Sequence, residues 1–430
     1  MENKSNSFRT PRGMKDILPE EMRYYNRIEN VCQRLATEYN FQRVNFPILE
    51  DAQLFQKGIG LATDIVEKEM FLLPAKRGKQ LALRPEGTAS VVRLYFQEGL
   101  KSWTQPVQLW YFGPFFRHES PQAGRYRQFY QLGFEVINGE SSALDLQLIQ
   151  LFYNLLKELH LKNILLEINS LGLPEERKEY RQALVSYLRK HSRELCPVCH
   201  DRLIKNPFRV LDCKEEGCQE VARRAPQMID YLSKECHNHF KEVLEFLDEL
   251  NIPYRLNPYL VRGLDYYTRT VFEFVISEDG TDVEASRSHT LIGGGRYDRL
   301  AELIGQERLP ALGGAGGVER IIEAMKEQDV RMSSPRKPDV FLAQLGARAK
   351  KEALQFFEEL RKEGIKVVAT FDKDSLRTQL KRANQLGVKY TLIIGAQEVT
   401  RHRVAVRQMD QGGQKLIDRD KVISFLKKKL

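Results

Sequence analysis

The chain has 430 residues, which is enough for two or three domains. Hydrophobic residues make up 42% and charged residues 29%, a composition that excludes disordered, collagen-like and coiled-coil proteins. No apolar run approaches the roughly 18 residues of a membrane span, and residues 1–7 are too polar for a secretory signal, so we expect a cytoplasmic protein with no membrane contact.

Positive charge is concentrated near the end of the chain. The totals are 67 Lys and Arg against 58 Asp and Glu, a net charge of +9. Residues 333–430 alone hold 22 basic and 11 acidic residues, an excess of +11, so the part before them is nearly neutral. A basic terminal domain favours a polyanionic partner, although a basic surface without such a partner would have the same charge.

The first part of the chain, 1–332, mixes helices with strands that mostly pair as antiparallel neighbours. Hydrophobic periodicity predicts helices over 20–39, 86–99, 141–160, 175–190, 226–250 and 316–327. It predicts strands at 69–73, 80–84, 107–117, 127–137, 164–168, 258–262, 271–277 and 288–292. The mainly helical stretch 172–250 carries five of the six cysteines and is predicted to be an insertion in the sheet.

A linker and a smaller domain are predicted after this part. Residues 333–338 combine two prolines with small and charged residues, which is typical of a linker. Beyond it, strands and helices alternate, with strands from 340 and at 365–369 and 390–394, and helices at 349–363, 375–386 and from about 419. This βαβ spacing predicts an α/β domain over 339–430 with a partly parallel sheet.

A predicted hairpin in the first domain carries polar side chains on one face. Two strands flank the turn-prone segment 120–126, and side chains two residues apart on a strand share a face. That face presents Phe115, Arg117, Glu119, Phe129, Gln131 and Glu135. Such polar groups are costly in a core unless they meet partners or a ligand, so the pattern favours a binding site over a packing face.

Three further segments carry arginines beside glycines. They are 260–267 with Arg262, 293–298, which is predicted as a turn, and 311–320, a glycine-rich turn that leads into a helix with Arg320. Glycines before a helix let the backbone approach a phosphate, and arginine adds a planar fork for its oxygens. Each segment alone could be only a tight turn. P-loop and dinucleotide-binding motifs are absent from the sequence, so ATP would bind on a sheet with arginines.

These motifs resemble the class II aminoacyl-tRNA synthetases, and more closely the histidyl-tRNA synthetases, over nearly the whole chain. The matching segments are 11–16, 41–48 with Pro47, 84–88, 116–119 with Arg125 and Phe129, 260–267, 294–298 and 317–320. The resemblance implies an α+β fold, in which an antiparallel-sheet catalytic domain with a helical insertion precedes a C-terminal α/β anticodon-binding domain.

The resemblance also implies an activity. It predicts ATP-dependent ligation of L-histidine to tRNA(His) through a histidyl-adenylate, with release of AMP and pyrophosphate and with Mg²⁺ on the outer phosphates. It predicts a homodimer with residues 41–50 at the two-fold interface. The alternative is a catalytically inactive, synthetase-like regulatory subunit of histidine biosynthesis. Such proteins typically lack the terminal domain and the catalytic arginines, both of which are present here.

Residue roles follow from the same resemblance. The implied ATP-binding residues are Arg117, Glu119, Arg125, Phe129 and Arg320. The implied histidine-binding residues are Glu86, Thr88, Gln131, Glu135, Arg262, Tyr266, Tyr267 and Tyr297. Arg117 and Arg262 are the expected catalytic residues, although Arg262 could instead form a surface ion pair with Asp265. Gln122 matches a family position near the acceptor end of the tRNA. Carboxylates, an amide and phenols suit the donors of free histidine.

Two features fall outside these assignments. Cys196, Cys199, Cys213 and Cys218 could hold a structural zinc or could be reduced thiols in the insertion, and their spacing leaves both open, so no metal ligand is assigned. Members of the family generally carry a large apolar residue where Gly314 stands. The sequence therefore does not explain what fills the space beneath the expected ATP site.

Overall fold

The computed structural model describes residues 8–61, 63–74, 78–120, 124–277, 290–332, 337–372, 374–410 and 412–430. The chain divides into two compact units, Met1–Met332 and Ser333–Leu430, and each has its own hydrophobic core. Most of the predicted linker, 333–338, lies outside the described residues. Among the described helices, none is long and apolar enough to cross a membrane.

The first unit alternates strands and helices. Its described strands are β1 (Gln42–Arg43), β2 (Leu49–Asp51), β3 (Leu72–Leu73), β4 (Leu81–Leu83), β5 (Val107–Phe116), β6 (Gln128–Ile137), β7 (Ile164–Ser170), β8 (Tyr254–Leu256), β9 (Thr268–Ile276), β10 (Thr290–Arg296) and β11 (Ala311–Gly317). Its helices are α1 (Pro19–Glu38), α2 (Ala52–Ile59), α3 (Thr88–Gln97), α4 (Ser142–Glu158), α5 (Arg177–Lys190), α6 (Pro197–Lys205), α7 (Glu216–Arg223), α8 (Lys234–Glu249), α9 (Leu300–Leu303) and α10 (Val318–Glu327).

The described residues of this unit form an eight-stranded sheet in the order β1-β5-β6-β11-β10-β9-β7-β8. Its strand pairs are antiparallel except at the two edges, where β1 runs parallel to β5 and β8 runs parallel to β7. A smaller sheet has the order β2-β4-β3. The expected antiparallel-sheet fold class is confirmed.

Helices pack against both faces of the large sheet. On one face α1, α4, α8 and α10 enclose a core that includes Phe134, Phe152 and Phe272. On the other face α2, α3 and α9 enclose a second core that includes Tyr111 and Phe115. Burial of a large apolar side chain contributes roughly 1.5–3 kcal/mol, so these cores hold the sheet rigidly. The candidate site lies on the second face.

Two glycine-rich segments that the sequence predicts as turns are central strands instead. Residues 293–295 lie within β10, and residues 311–317 form β11, which pairs with β6 and β10. The predictions were wrong because glycine weakens an isolated strand, whereas here the strands are held by neighbours on both sides.

The glycines are required because other side chains cross the strands at these positions. A Cβ atom at Gly313 would lie 1.5 Å from Oε2 of Glu135. At Gly314, where the resemblance implied a large apolar residue, a Cβ atom would lie 2.7 Å from the ring of Phe152. Phe152 therefore fills the space beneath the strand, which accounts for the glycine at this position.

Two other predictions near the insertion were wrong, one in the type of element and the other in where the element begins. Residues 258–262 form a turn and loop rather than a strand, because Pro258 lacks an N–H and the Asn257 side chain accepts a hydrogen bond from the Tyr259 N–H at 3.1 Å. The helix predicted over 226–250 is shorter. It begins as α8 after Ser233, whose hydroxyl accepts a hydrogen bond from the Cys236 N–H at 3.2 Å.

Between β7 and β8 the chain forms the helical segment for which an insertion was predicted. Helices α5, α6 and α7 surround a small core of their own, to which Tyr180, Leu184 and Val221 belong. Helix α8 packs against α4 and against β9 of the large sheet. The insertion is therefore tied to the large sheet by its last helix.

The second unit has the expected α/β architecture. Its described strands are β12 (Val340–Gln344), β13 (Val367–Ala369), β14 (Tyr390–Ile394), β15 (Arg403–Gln408) and β16 (Gln414–Asp418). Its helices are α11 (Ala347–Lys362), α12 (Leu376–Leu386), α13 (Ala396–Thr400) and α14 (Val422–Lys429). The sheet order is β13-β12-β14-β15-β16. The first three strands are parallel, and β15 pairs antiparallel with both β14 and β16. The sequence analysis did not predict the hairpin β15–β16.

Candidate active site

A cleft of about 390 Å³ opens on the second face of the large sheet. Its walls come from the β5–β6 hairpin, the loop before β9, strands β9 to β11 and the start of α10. The residues of the sequence analysis that line it are Glu86, Thr88, Arg117, Glu119, Arg125, Phe129, Gln131, Arg262, Tyr266, Tyr267 and Arg320. Glu135 and Tyr297 stand behind this wall, and Gln122 lies outside the described residues.

Arginines and an aromatic ring meet at one end of the cleft. The Nε of Arg117 donates a hydrogen bond to the Pro85 carbonyl at 2.9 Å, which fixes the guanidinium 5.4 Å from the centre of the Phe129 ring. Glu119 lies between two arginines, with a carboxylate oxygen 3.7 Å from Arg117 and another 3.7 Å from Arg125. The arrangement offers two cationic forks beside an aromatic plate.

Arg320 adds a third cation from the first turn of α10. Its Nη1 donates to the Thr290 carbonyl at 3.0 Å. Burial lowers the pKa of Arg320, and the positive charges of Arg125 and Arg117 lower it further. Like charges held this close together are stabilised by an anion placed between them, so this end of the cleft is suited to phosphate groups.

The neighbouring Glu319 anchors the helix that carries Arg320. Its buried carboxylate accepts hydrogen bonds from the Tyr25 hydroxyl and from the Tyr130 N–H, both at 3.0 Å. Burial raises the pKa of Glu319 to about 7. These bonds join α10 to α1 and β6 and so fix the direction from which Arg320 enters the cleft.

Arg262 also lines the cleft. Its guanidinium forms an ion pair with Glu273 on β9 and lies 5.5 Å from the centre of the Tyr267 ring. Burial lowers the pKa of Arg262, but the Glu273 carboxylate together with Tyr267 and Tyr266 outweighs burial and the pKa is raised, so the side chain stays charged. The alternative pairing with Asp265 is not observed in the described structure, where Asp265 instead accepts a hydrogen bond from Asn206 at 3.1 Å.

Acidic groups form a second region of the cleft, within electrostatic reach of Arg117. The Glu86 carboxylate accepts hydrogen bonds from the N–H groups of Thr88 at 2.7 Å and Ala89 at 2.9 Å, at the start of α3. Burial raises the pKa of Glu86, although these backbone donors oppose the shift. The Tyr266 hydroxyl lies 3.5 Å from the same carboxylate. A cationic ligand group would be favoured here.

Glu135 organises three hydroxyl groups behind the wall. It accepts hydrogen bonds from Thr88 at 2.9 Å, Tyr111 at 3.2 Å and Tyr297 at 2.5 Å. Burial raises the pKa of Glu135 to about 8. Because Thr88 and Tyr111 themselves line the cleft, Glu135 sets which way their hydroxyl groups point.

Gln131 presents an acceptor toward the same region. Its Oε1 atom is buried and finds no hydrogen-bond donor in the described part of the chain. Buried polar atoms in folded proteins are almost always satisfied, so this oxygen is available to a donor on a ligand. Together with Glu86 it makes this region rich in acceptors.

The sequence analysis missed several residues of the cleft, among them Tyr111 and Glu273. Tyr111 shares a strand face with Phe115 by alternation along β5, a signal that the sequence contains. Glu273 lies within the apolar run of β9, where only its isolated charge could have drawn attention. Both now connect predicted site residues, Tyr111 through Glu135 and Glu273 through Arg262.

Comparison with known proteins gives consistent matches along the chain. Residues 13–321 match the family model described as histidyl-tRNA synthetase, and residues 339–429 match an anticodon-binding domain. A histidine–tRNA ligase of Dehalococcoides mccartyi is 41% identical over 98% of this chain and 100% of its own length. One from Halothermothrix orenii is 43% identical over 94% of this chain and 96% of its own. The solved apo Staphylococcus aureus histidyl-tRNA synthetase is 33% identical, covers 98% of this chain and 100% of its own, and superimposes with a TM-score of 0.79.

Proposed function

The chain belongs to the histidyl-tRNA synthetase family, and from that membership we propose how its cleft activates histidine. As a histidine–tRNA ligase it uses ATP to join L-histidine to its tRNA. Full-length identity of 40–43% to such ligases favours this function over a regulatory subunit. In the first step the histidine carboxylate attacks the α-phosphorus of ATP and pyrophosphate leaves. In the second step a hydroxyl of the terminal adenosine of the tRNA takes the histidyl group and AMP leaves.

We assign the phosphates of ATP to the cationic end of the cleft. Arg117 holds the α-phosphate, Arg125 and Arg320 hold the outer phosphates, and adenine stacks on Phe129. Supporting this is the geometry at the hairpin, where Arg117 is fixed by the Pro85 carbonyl and Phe129 lies beside it. No enzyme nucleophile is needed, because the reaction requires only that two anions be held together while charge spreads over phosphate oxygens.

Arg262 is proposed to act at the point of attack. Its partner Glu273 acts electrostatically on Arg320 among the cationic residues. Tyr267, which lies beneath Arg262, is within electrostatic reach of Glu86 among the acidic ones. There Arg262 reduces the repulsion between the histidine carboxylate and the α-phosphate and stabilises the charge that develops between them. This position is the observation that carries the mechanism.

Histidine is proposed to bind at the acceptor-rich region. Glu86 and Gln131 accept hydrogen bonds from its ammonium or imidazole donors, and the hydroxyl groups ordered by Glu135 complete the pocket. Tyr266 and Tyr267 supply the surrounding aromatic surface, and Tyr297 packs behind it against Tyr266. A pocket built from hydrogen-bonding groups strongly rejects amino acids that leave those groups unpaired.

We also propose that Mg²⁺ accompanies ATP. The donor set fits, because Mg²⁺ is usually held by one or two carboxylates together with substrate phosphates. Glu119 supplies a carboxylate beside the arginines, and its ion pairs at 3.7 Å are longer than hydrogen bonds. When bound, the ion neutralises negative charge on the outer phosphates.

We propose that the enzyme acts as a homodimer through the region of residues 41–50. The small sheet that begins there exposes an apolar face, on which Leu49, Leu73 and Leu81 are 44%, 39% and 37% exposed. A second copy of the chain would bury this face. Light scattering of the purified protein tests the proposal, because a monomer at micromolar concentration would contradict it.

The C-terminal anticodon-binding domain is proposed to bind tRNA(His) mainly through its charge. Its segment carries the excess of +11, which suits a phosphate backbone. Gln122 is proposed to lie near the acceptor end of the tRNA. Because charged tRNA is used in protein synthesis, we place the reaction in the cytoplasm.

A direct test of the activation step is histidine-dependent exchange of labelled pyrophosphate into ATP. The purified protein should catalyse exchange with histidine and Mg²⁺, and other amino acids should not replace histidine. Absence of exchange in folded protein would contradict the proposed roles of the cleft residues.

A further inference from the structure

Four cysteines of the insertion converge although they are spread over the sequence. Cys196 precedes α6, Cys199 lies in its first turn, Cys213 lies in the loop between α6 and α7, and Cys218 lies in α7. Their sulfur atoms all lie within 4.8 Å of one another. The gap between the two pairs, which left zinc unresolved from sequence, is taken up by α6 and the turn that follows it.

The distances among these sulfur atoms are those of a metal site. Zinc binds thiolates at about 2.3 Å in a tetrahedron, which places neighbouring sulfur atoms about 3.8 Å apart. The sulfur atoms of Cys196 and Cys213 are 3.8 Å apart. The N–H of Cys196 also donates to the Cys218 sulfur at 3.2 Å, a contact that is stronger when the acceptor is a thiolate.

We propose that Cys196, Cys199, Cys213 and Cys218 bind one zinc ion as a closed tetrathiolate site. Soft thiolate ligands in tetrahedral geometry select zinc over magnesium or calcium. Because all four positions are filled by the protein, the site is structural and leaves no position for a substrate.

The small size of the surrounding core explains why a metal is needed. Helix α6 has nine residues, the following 3₁₀ turn has four and α7 has eight. Helices this short are marginal on their own, and small packed units usually depend on a metal or on disulfides. Zinc would join the two ends of this segment at the point where three of the four cysteines are buried.

The site is connected to the active-site cleft. Cys213 lies between Asp212 and Lys214, and both of these neighbours line the cleft. Arg209, at the preceding turn, pairs with Asp64 of the catalytic body at 2.6 Å. Because zinc would hold Cys213 in place, it would also fix the positions of Asp212 and Lys214 in one wall of the cleft. This consequence rests on the proposed function of that cleft.

Metal analysis of the full chain tests the proposal. Protein purified with a reductant and without chelator should contain about one zinc per chain, and a mercurial reagent should release it as four thiols react. Less than about 0.2 zinc per chain, together with no zinc uptake by the reduced protein, would overturn the proposal whether or not histidine is activated.

Substitutions distinguish the site from other cysteines. Cys199→Ser and Cys213→Ser should each reduce bound zinc at least fivefold, whereas Cys236→Ser, a buried cysteine outside the cluster, should leave it unchanged. If the cluster variants fail to fold, cobalt titration of the reduced wild-type protein decides the question. Thiolate charge-transfer bands with tetrahedral cobalt absorption support the site, and an octahedral spectrum or no binding overturns it.

Discussion

Gly293 lies directly against the guanidinium group of Arg262. A Cβ atom at this glycine would approach Nη2 of Arg262 at 2.3 Å and Cζ at 2.6 Å. Arg262 cannot easily move aside, because it is also paired with Glu273 and lies over the Tyr267 ring. Gly293 in β10 thus leaves the space that the guanidinium group of Arg262 needs in the cleft.

Gly293→Ala should therefore impair adenylate formation without direct loss of a functional group. Displacing Arg262 by about 1 Å should lower histidine-dependent pyrophosphate exchange by roughly a hundredfold. Gly413→Ala, in the turn between β15 and β16, is the matched control, because a Cβ atom there would meet no atom within 4 Å. Normal exchange in a folded Gly293→Ala protein would show that the position of Arg262 is not critical.

Arg262→Ala tests the proposed charge stabilisation itself. Removing a donor that acts on developing charge commonly costs about 3 kcal/mol, so exchange should fall by about a hundredfold or more. Binding of tRNA, measured by filter retention, should hardly change. Arg419→Ala removes a buried arginine of the second unit, paired with Glu359 at 2.8 Å, and should leave exchange near the wild-type rate. Equal losses in the two variants would indicate a general structural effect.

Glu135→Gln should change how stability depends on pH. Burial raises the pKa of Glu135 to about 8, so the folded chain holds this proton to a higher pH than the unfolded chain, whose pKa is about 4.3. The stability that the protonated group contributes is complete below about pH 4 and is lost as the pH rises through about 8. Glutamine does not titrate, so the wild-type free energy of unfolding should fall relative to the variant by up to about 1.4 kcal/mol per pH unit across this window.

Urea unfolding without histidine, from pH 5 to pH 8, measures this difference. Glu319 and the other groups that do not interact with Glu135 contribute equally in both proteins, so their contributions cancel. Glu140→Gln changes an exposed glutamate in the same way and is the control for the substitution itself. A pH-independent difference for Glu135→Gln would mean that Glu135 is already ionised in the folded protein.

Strand alternation in the sequence was sufficient to place several cleft residues on one surface. Arg117, Phe129 and Gln131 line the same cleft, as expected from a period of two along the β5–β6 hairpin. Their positions could be predicted because they depend on local geometry and on the pairing of two adjacent strands.

Other features of the site depend on contacts between distant segments. Arg262 pairs with Glu273, and Gly293 makes room for both, yet none of these contacts leaves a periodic signal in the sequence. Local propensity predicted turns at the glycines, since the neighbours that stabilise them as strands are more than 100 residues away for the β6–β11 pair. The convergence of Cys196 with Cys218 likewise depends on how the insertion folds.

Removal of the second unit should separate the two steps of the reaction. A fragment ending at Met332 keeps the cleft and its supporting cores. Because the proposed adenylation residues all belong to this unit, pyrophosphate exchange should stay within about twofold of that of the full chain. Aminoacylation should fall steeply at limiting tRNA, because the fragment lacks the segment with the excess of +11. Binding should also depend less steeply on salt, since fewer phosphate counterions are released when fewer cations engage the tRNA. The binding constant measured at several salt concentrations gives this slope for both proteins, and a fragment that charged tRNA normally with an unchanged slope would show that the basic domain does not supply the affinity.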